Sequence, residues 1–250
     1  MFRIFRPIPA ASLRLLVFDL DGTLIDSGAD LCASVNAMLH HFGRAPLPQE
    51  VISTYIGDGA ARLVSRALGE PVEAAFLESA VAYFLDYYRE HKLDQTYVYP
   101  GVFGSLDSLR FEPAGAPRSM AVLTNKPIGP SLAICEALGL SPYFFRIYGG
   151  NSFSSKKPDP EGLVALIREA GVAAEETLMI GDSDVDIMTA RNAGVWSIGC
   201  SFGLSPHTLA AVPPDCLVDS PAEWPLALAD NSMFTSPSVR TELRAADSRD

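Results

Sequence analysis

The stretch Phe18-Asp19-Leu20-Asp21-Gly22-Thr23-Leu24 sets two carboxylates two residues apart at the end of an apolar run, Leu13 to Leu20. The run is short, rich in Leu, Val and Phe, and closes on a glycine, the pattern of a buried strand. Side chains of a strand alternate faces, so Asp19 and Asp21 are expected on the same side. Paired carboxylates at the end of a buried strand are expensive unless a cation or hydrogen-bond donors meet them. Taken alone, the pair reads either as a surface turn with two solvated acids or as a site, and the rest of the chain decides between them.

The rest of the chain alternates short apolar strands with amphipathic helices, as in a parallel sheet covered on both faces. Strands are expected at Leu13–Leu20, Met120–Leu123, Arg146–Gly149, Thr177–Ile180, Val195–Ile198 and Cys216–Val218. Between the first two lies a long segment with helical periods and no strand signal. Leu31, Val35, Met38, Leu39 and Phe42 form one stripe; Phe76, Ala80, Tyr83, Phe84 and Tyr87 form another. These stripes read as helix cores. The fold class is therefore α/β: a Rossmann-like parallel-sheet core, residues 1–26 and 98–230, with a small helical cap domain, residues 27–97, inserted after the first strand. Tyr99-Pro100-Gly101 is the expected return hinge. Residues 231–250 are poor in apolar side chains, and a disordered tail is expected there.

Four short motifs sit near the C-terminal ends of expected strands, the edge where open α/β sheets bind ligands. They are Asp19-x-Asp21-Gly22-Thr23, Leu123-Thr124-Asn125-Lys126, Lys156-Lys157-Pro158-Asp159-Pro160, and Gly181-Asp182-Ser183-Asp184-Val185-Asp186. Singly, each has an ordinary explanation: a helix cap, a solvated lysine, or acids at a helix start. Together they supply the parts for phosphoryl transfer. Carboxylates bind a hard divalent cation, a hydroxyl with backbone amides and a lysine hold phosphoryl oxygens, and two distinct aspartates serve as nucleophile and acid/base.

In their order and spacing these motifs resemble the haloacid dehalogenase superfamily, over most of residues 13–225. Tyr55-Ile56-Gly57-Asp58-Gly59-Ala60 and Thr124-Asn125-Lys126-Pro127 are similar to its phosphoglycolate phosphatase-like branch. The resemblance implies an aspartyl-phosphate formed on Asp19, with Asp21 as general acid and base. It implies Mg2+ held by Asp19, the backbone carbonyl of Asp21, and Asp182, with Asp186 supporting the metal site. It assigns the phosphoryl oxygens to Thr124, the Asn125 amide and Lys157, the lysine that directly precedes the proline. In the cap, the loop Gly57-Asp58-Gly59 is expected to bring backbone amides to a small carboxylate, with Arg62 one turn later as its partner. The expected substrate is a small phosphorylated metabolite, 2-phosphoglycolate first. Other phosphatase substrates (pyrophosphate or a sugar phosphate), a phosphosugar mutase, and a non-catalytic regulatory protein on the same fold are the alternatives.

Composition narrows the partners. With 19 basic and 30 acidic residues the net charge is -11, which disfavours a nucleic-acid groove. An acidic chain with an anionic substrate also needs a local cation, and a metal supplies one. The four cysteines are far apart in sequence and read as free thiols of a reducing compartment. Arg14 and Asp19 interrupt the first apolar run, so a signal peptide is not expected. No apolar stretch approaches the roughly 20 residues of a membrane span. A cytoplasmic monomer or homodimer is the expectation.

Overall fold

The first apolar run folds as a central strand, buried along its whole length. Leu15 and Val17 face one hydrophobic cluster, with Ala121, Met179, Leu163 and Leu166. Leu16 and Phe18 face another, with Met120, Val122, Ile180 and Trp224. A strand covered on both faces must be apolar at every position, which is why the run lacks alternation. The computed structural model describes residues 2–111 and 117–229. In chain order its strands are β1 (Arg3–Ile4), β2 (Leu15–Phe18), β3 (Ile25–Asp26), β4 (Tyr97–Val98), β5 (Ser119–Leu123), β6 (Arg146–Tyr148), β7 (Thr177–Gly181), β8 (Trp196–Cys200) and β9 (Cys216–Val218). Its helices are α1 (Gly28–His41), α2 (Gln49–Ser53), α3 (Ala60–Leu68), α4 (Ala74–His91), α5 (Val102–Leu109), α6 (Ile128–Ala137), α7 (Glu161–Ala170), α8 (Asp184–Ala193) and α9 (Glu223–Ala227).

Seven strands form one sheet in the order β1-β9-β8-β7-β2-β5-β6. All pairings are parallel except β1 with β9, an antiparallel edge that the sequence pattern does not foresee. The register places Phe18 between Val122 and Ile180. The chain segments that follow β2, β5 and β7 therefore emerge side by side, about 5 Å apart. These segments carry Asp19, Thr124 and Asp182, so register alone gathers the motifs at one edge. The strand is shorter than expected. A 3-10 turn at Ala10–Ser12 precedes it, and after the Asp19 N–H bonds Ile180 O at 2.9 Å the chain turns away. Gly22 makes that turn with φ +83°, and a Cβ there would run into the Asp182 carboxylate.

Helices α1 to α4 lie between β3 and β4, which pair antiparallel where the chain leaves the sheet domain and returns to it. α4 packs on α1 and α3 through a core that includes Leu31, Val35, Met38, Leu63, Ala80 and Phe84, all buried. The return is fixed by Asp30, 1% exposed, whose carboxylate accepts from Gln95 N, Thr96 N and the Thr96 hydroxyl. Asp30→Ala strands those donors in the interior. It is expected to cost about 2–3 kcal/mol in urea unfolding; a loss below about 0.5 kcal/mol, the level of a surface change, would remove Asp30 from this role.

All four cysteines are buried and free. No helix among the described residues is long and apolar enough to cross a membrane. The expected disordered tail at 231–250 lies outside the described residues, as do residues 112–116.

Candidate active site

Asp19 stands at the end of β2, 8% exposed. Its Oδ1 accepts from Lys157 Nζ at 2.7 Å, and the same ammonium reaches Asp186 Oδ1 at 2.6 Å. Lys156, by contrast, turns to the helical insert. Asp186 uses its second oxygen on the Ser183 hydroxyl and amide, at 2.7 and 3.1 Å. Asp182 Oδ2 accepts from Leu204 N and Ser205 N, at 2.7 and 2.9 Å. Gly181 admits this packing, since a Cβ on it would occupy the place of the Asp186 carboxyl. Each acid is thus held by one oxygen or both, and Oδ2 of Asp19 and Oδ1 of Asp182 have no protein donor among the described contacts.

Asp19, Asp182 and Asp186 offer carboxylate oxygens within 4.8 Å of one another. Three carboxylates against the one ammonium of Lys157 leave an excess of two negative charges when all are ionised. Burial, with Asp186 adding to it and Lys157 opposing it, raises Asp19 to about 6. Burial and the neighbouring carboxylates of Asp186 and Asp19 raise Asp182 well above the ordinary range. A cluster of hard oxygen donors with this uncompensated charge fits a divalent cation such as Mg2+. Among the acidic side chains, those of Asp19 and Asp182 would hold it, because both oxygens of Asp186 already accept from Lys157 and Ser183. Asp186 orients the lysine.

Asp21 sits apart from that cluster. Its two oxygens accept from Lys126 Nζ, each at 2.9 Å, and Oδ1 also accepts from the Ser27 hydroxyl at 2.6 Å. Lys126 is buried. Burial disfavours its charge, but Asp21 and Tyr88 outweigh that and hold its pKa above the ordinary lysine value. Tyr88, from α4 of the insert, lays its ring 4.6 Å from the ammonium. Thr124 Oγ1 accepts from Lys126 N at 3.2 Å, which leaves its own O–H to donate.

These residues floor a cleft between sheet and insert, about 530 Å3 including its open mouth. Asp19, Asp21, Thr124, Asn125 and Lys126 line one side; Ile56, Gly57, Gly59, Leu63, Phe84 and Tyr88 line the other. The insert loop is tied down by its carbonyls. Ser205 Oγ donates to Ile56 O at 3.0 Å, Asn125 Nδ2 to Gly57 O at 3.1 Å, and Lys156 Nζ to Asp58 O at 2.9 Å. Gly57 and Gly59 take φ of +120° and +87° to make that approach.

The structure therefore brings together Asp19, Asp21, Thr124, Asn125, Lys157, Asp182 and Asp186, with Gly57 and Gly59 facing them. Arg62 is elsewhere: it pairs with Glu70 at 2.7 Å, half-exposed, and lines no part of the cleft. The expected pairing of Arg62 with the loop's ligand is corrected accordingly. The residue on Asp58 is Arg66, one helical turn further, at 2.7 Å. Lys126, Tyr88, Ser27 and Ser205 were not singled out from sequence. Only Lys126, inside a motif, carried a signal that could have found it.

A family model described as haloacid dehalogenase-like hydrolase matches residues 16–200. The phosphoglycolate phosphatase of Pseudomonas putida is 39% identical over 221 residues, covering 84% of this chain and 78% of that protein. The phosphoglycolate phosphatase of Agrobacterium fabrum is 35% identical over 208 residues, covering 82% of this chain and 88% of its own. Among solved structures, a predicted phosphoglycolate phosphatase from Haemophilus somnus superposes with a TM-score of 0.77 at 29% identity, over 85% of this chain and 96% of that one. Matched along most of its length, with the acids of the matched strands gathered at one sheet edge, the chain belongs to the haloacid dehalogenase-like hydrolases.

Proposed function

We propose that this enzyme is a Mg2+-dependent phosphatase that hydrolyses a small phosphomonoester, 2-phosphoglycolate first, through an aspartyl-phosphate on Asp19. The observation that carries the reading is the state of Asp19 itself. One oxygen is fixed by Lys157 while the other has no protein donor among the described residues, and Asp19 lines the cleft shared with the helical insert. A carboxylate so oriented is positioned for in-line attack on phosphorus. The names of the relatives supply the substrate class.

In this mechanism an Asp19 oxygen forms the bond to phosphorus and the ester P–O bond breaks. Asp21 gives its proton to the departing alkoxide. It then takes a proton from the water that attacks phosphorus, and the acyl-phosphate bond breaks to return Asp19 and release phosphate. Thr124 and Lys157 hold the phosphoryl oxygens as their charge redistributes. Mg2+ held by Asp19 and Asp182 would supply positive charge that offsets repulsion between Asp19 and an anionic substrate. The helices α1 to α4 act as a cap that keeps water from the cleft and limits the size of the leaving group.

The test is phosphate release from 2-phosphoglycolate, pyrophosphate, sugar phosphates and p-nitrophenyl phosphate, with Mg2+ and with EDTA. Mg2+-dependent preference for 2-phosphoglycolate supports the reading; no release from any of them sinks it. Asp182→Asn is expected to raise the Mg2+ concentration for half-maximal activity by about 10- to 100-fold. An unchanged metal titration would take Asp182 out of the metal's ligand set.

A further inference from the structure

Among the polar groups in the cleft that the chemistry assigned to Asp19, Asp21 and Lys157 leaves over, two can donate. One is the Tyr88 hydroxyl, which is 2% exposed, lines the cleft, and has no hydrogen-bond partner among the described residues. A buried tyrosine hydroxyl without a partner costs stability and calls for a reason. The other is Lys126. Two of its ammonium N–H groups go to the oxygens of Asp21, and the ammonium lies against Tyr88, 4.6 Å from the ring centre. An ammonium carries three donors, so one is still available to a ligand.

Their surroundings define what they would bind. Leu31, Leu63 and Phe84 wall the cleft beside them, so the ligand group must be small. It must also be an acceptor, since the ammonium and the hydroxyl can both donate. Because Lys126 Nζ lies 2.9 Å from the Asp21 carboxylate, it is a near neighbour of the oxygen that Asp21 would protonate. In a phosphorylated 2-hydroxy acid the carboxylate carbon is two bonds from that oxygen.

We infer that Lys126 and Tyr88 together form the recognition site for the leaving group's carboxylate, and that they set the preference for a phosphorylated hydroxy acid over a neutral phosphate ester. The inference rests on the phosphatase reading above. Lys126 then has two tasks at once: it fixes the Asp21 carboxylate and takes one oxygen of the substrate carboxylate. Tyr88 takes the other oxygen from the cap side, so the recognised substrate itself joins cap to core. A leaving group without a carboxylate leaves both donors buried and unmatched, the situation in which hydrogen-bonding sites discriminate most strongly.

The experiment compares kcat/KM for 2-phosphoglycolate with that for ethyl phosphate, which replaces the carboxylate by a methyl group and still needs a protonated leaving oxygen. Wild type is expected to favour 2-phosphoglycolate by at least about 100-fold. Lys126→Met is expected to lower that ratio by about 10- to 100-fold, and Tyr88→Phe by about 3- to 10-fold, mainly through KM. A residue that only positions Asp21, or only packs, lowers both substrates alike. An unchanged ratio in both variants therefore overturns the inference even where activity falls. Should Lys126→Met not fold, Tyr88→Phe decides alone, since it keeps the ring packed against Phe84 and an unchanged ratio there overturns the inference. Wild-type turnover of p-nitrophenyl phosphate with Mg2+ separates the two readings. Turnover there with no preference for 2-phosphoglycolate over ethyl phosphate overturns the carboxylate site alone, while no turnover of any ester overturns the phosphatase reading and the site with it.

Discussion

Asp19→Asn is expected to abolish phosphate release, by about 10^4-fold or more, while the protein stays folded. The substitution keeps the size of the side chain and removes only the charge and the nucleophilic oxygen. A nucleophile that acts as one unit with its partners accounts for losses of that order when removed alone. The same variant should be more stable than wild type when metal is absent. The Asp19 carboxyl is raised from 3.8 to about 6, first by burial, then by Asp186, against the pull of Lys157. A carboxyl whose folded pKa lies above its unfolded value favours the fold while protonated. That contribution is fully present below about pH 4 and is lost as pH rises through about 6. In EDTA, wild type should therefore lose stability across this window, and Asp19→Asn, with nothing to titrate there, should lose less and melt higher at pH 7. An equal melting temperature at pH 7 would mean that the buried acids are compensated without metal. Retained turnover would remove Asp19 from the chemistry.

Lys157→Met is expected to do the reverse to stability. Lys157 has a side chain only 3% exposed and bridges Asp19 and Asp186. Burial disfavours its charge, but Asp186 and Asp19 outweigh that and hold its pKa above the ordinary lysine value. Methionine fills the space and removes the charge, which leaves the cluster of carboxylates uncompensated. Removing one partner from a buried ionic set costs about 3–5 kcal/mol, or roughly 10 °C in melting temperature for a chain of this size. Mg2+ should recover part of that loss, because it brings positive charge to the same oxygens. Activity should fall by about 10^2- to 10^3-fold even at saturating Mg2+, through the lost contact with the phosphoryl group. A variant that melts like wild type in EDTA would contradict the charge balance argued for the site.

Stability and catalysis thus pull apart at this edge of the sheet. The acids that would hold a cation and attack phosphorus are the ones whose burial weakens the metal-free fold, a usual tension at active sites.

Much of this was legible in the chain, and the physical reason differs from part to part. β2 was visible because both its faces are covered, which demands an unbroken apolar run. The gathering of Asp19, Thr124 and Asp182 followed from parallel register, a property of the sheet rather than of any side chain. What stayed hidden depends on contacts across long separations or on small rotations. Lys126 meets Asp21 from 105 residues away, and Asp30 meets Thr96 from 66; no local pattern encodes either. Arg62 and Arg66 sit one helical turn apart on α3, and only the helix's rotation decides that the second, not the first, reaches Asp58. Tyr88 adjoins Tyr87, which the sequence places on a helix-core stripe, and its ring packs against Phe84 while also lining the cleft. β1 is two residues long, too short for any periodicity to announce it.

The most direct test of the account is to quench the enzyme during turnover of 2-phosphoglycolate carrying a labelled phosphoryl group, and to map the label in the acid-denatured protein. The account predicts a hydroxylamine-sensitive label on the peptide that contains Asp19, absent from Asp19→Asn. Label on another residue, or steady turnover by Asp19→Asn, would contradict it.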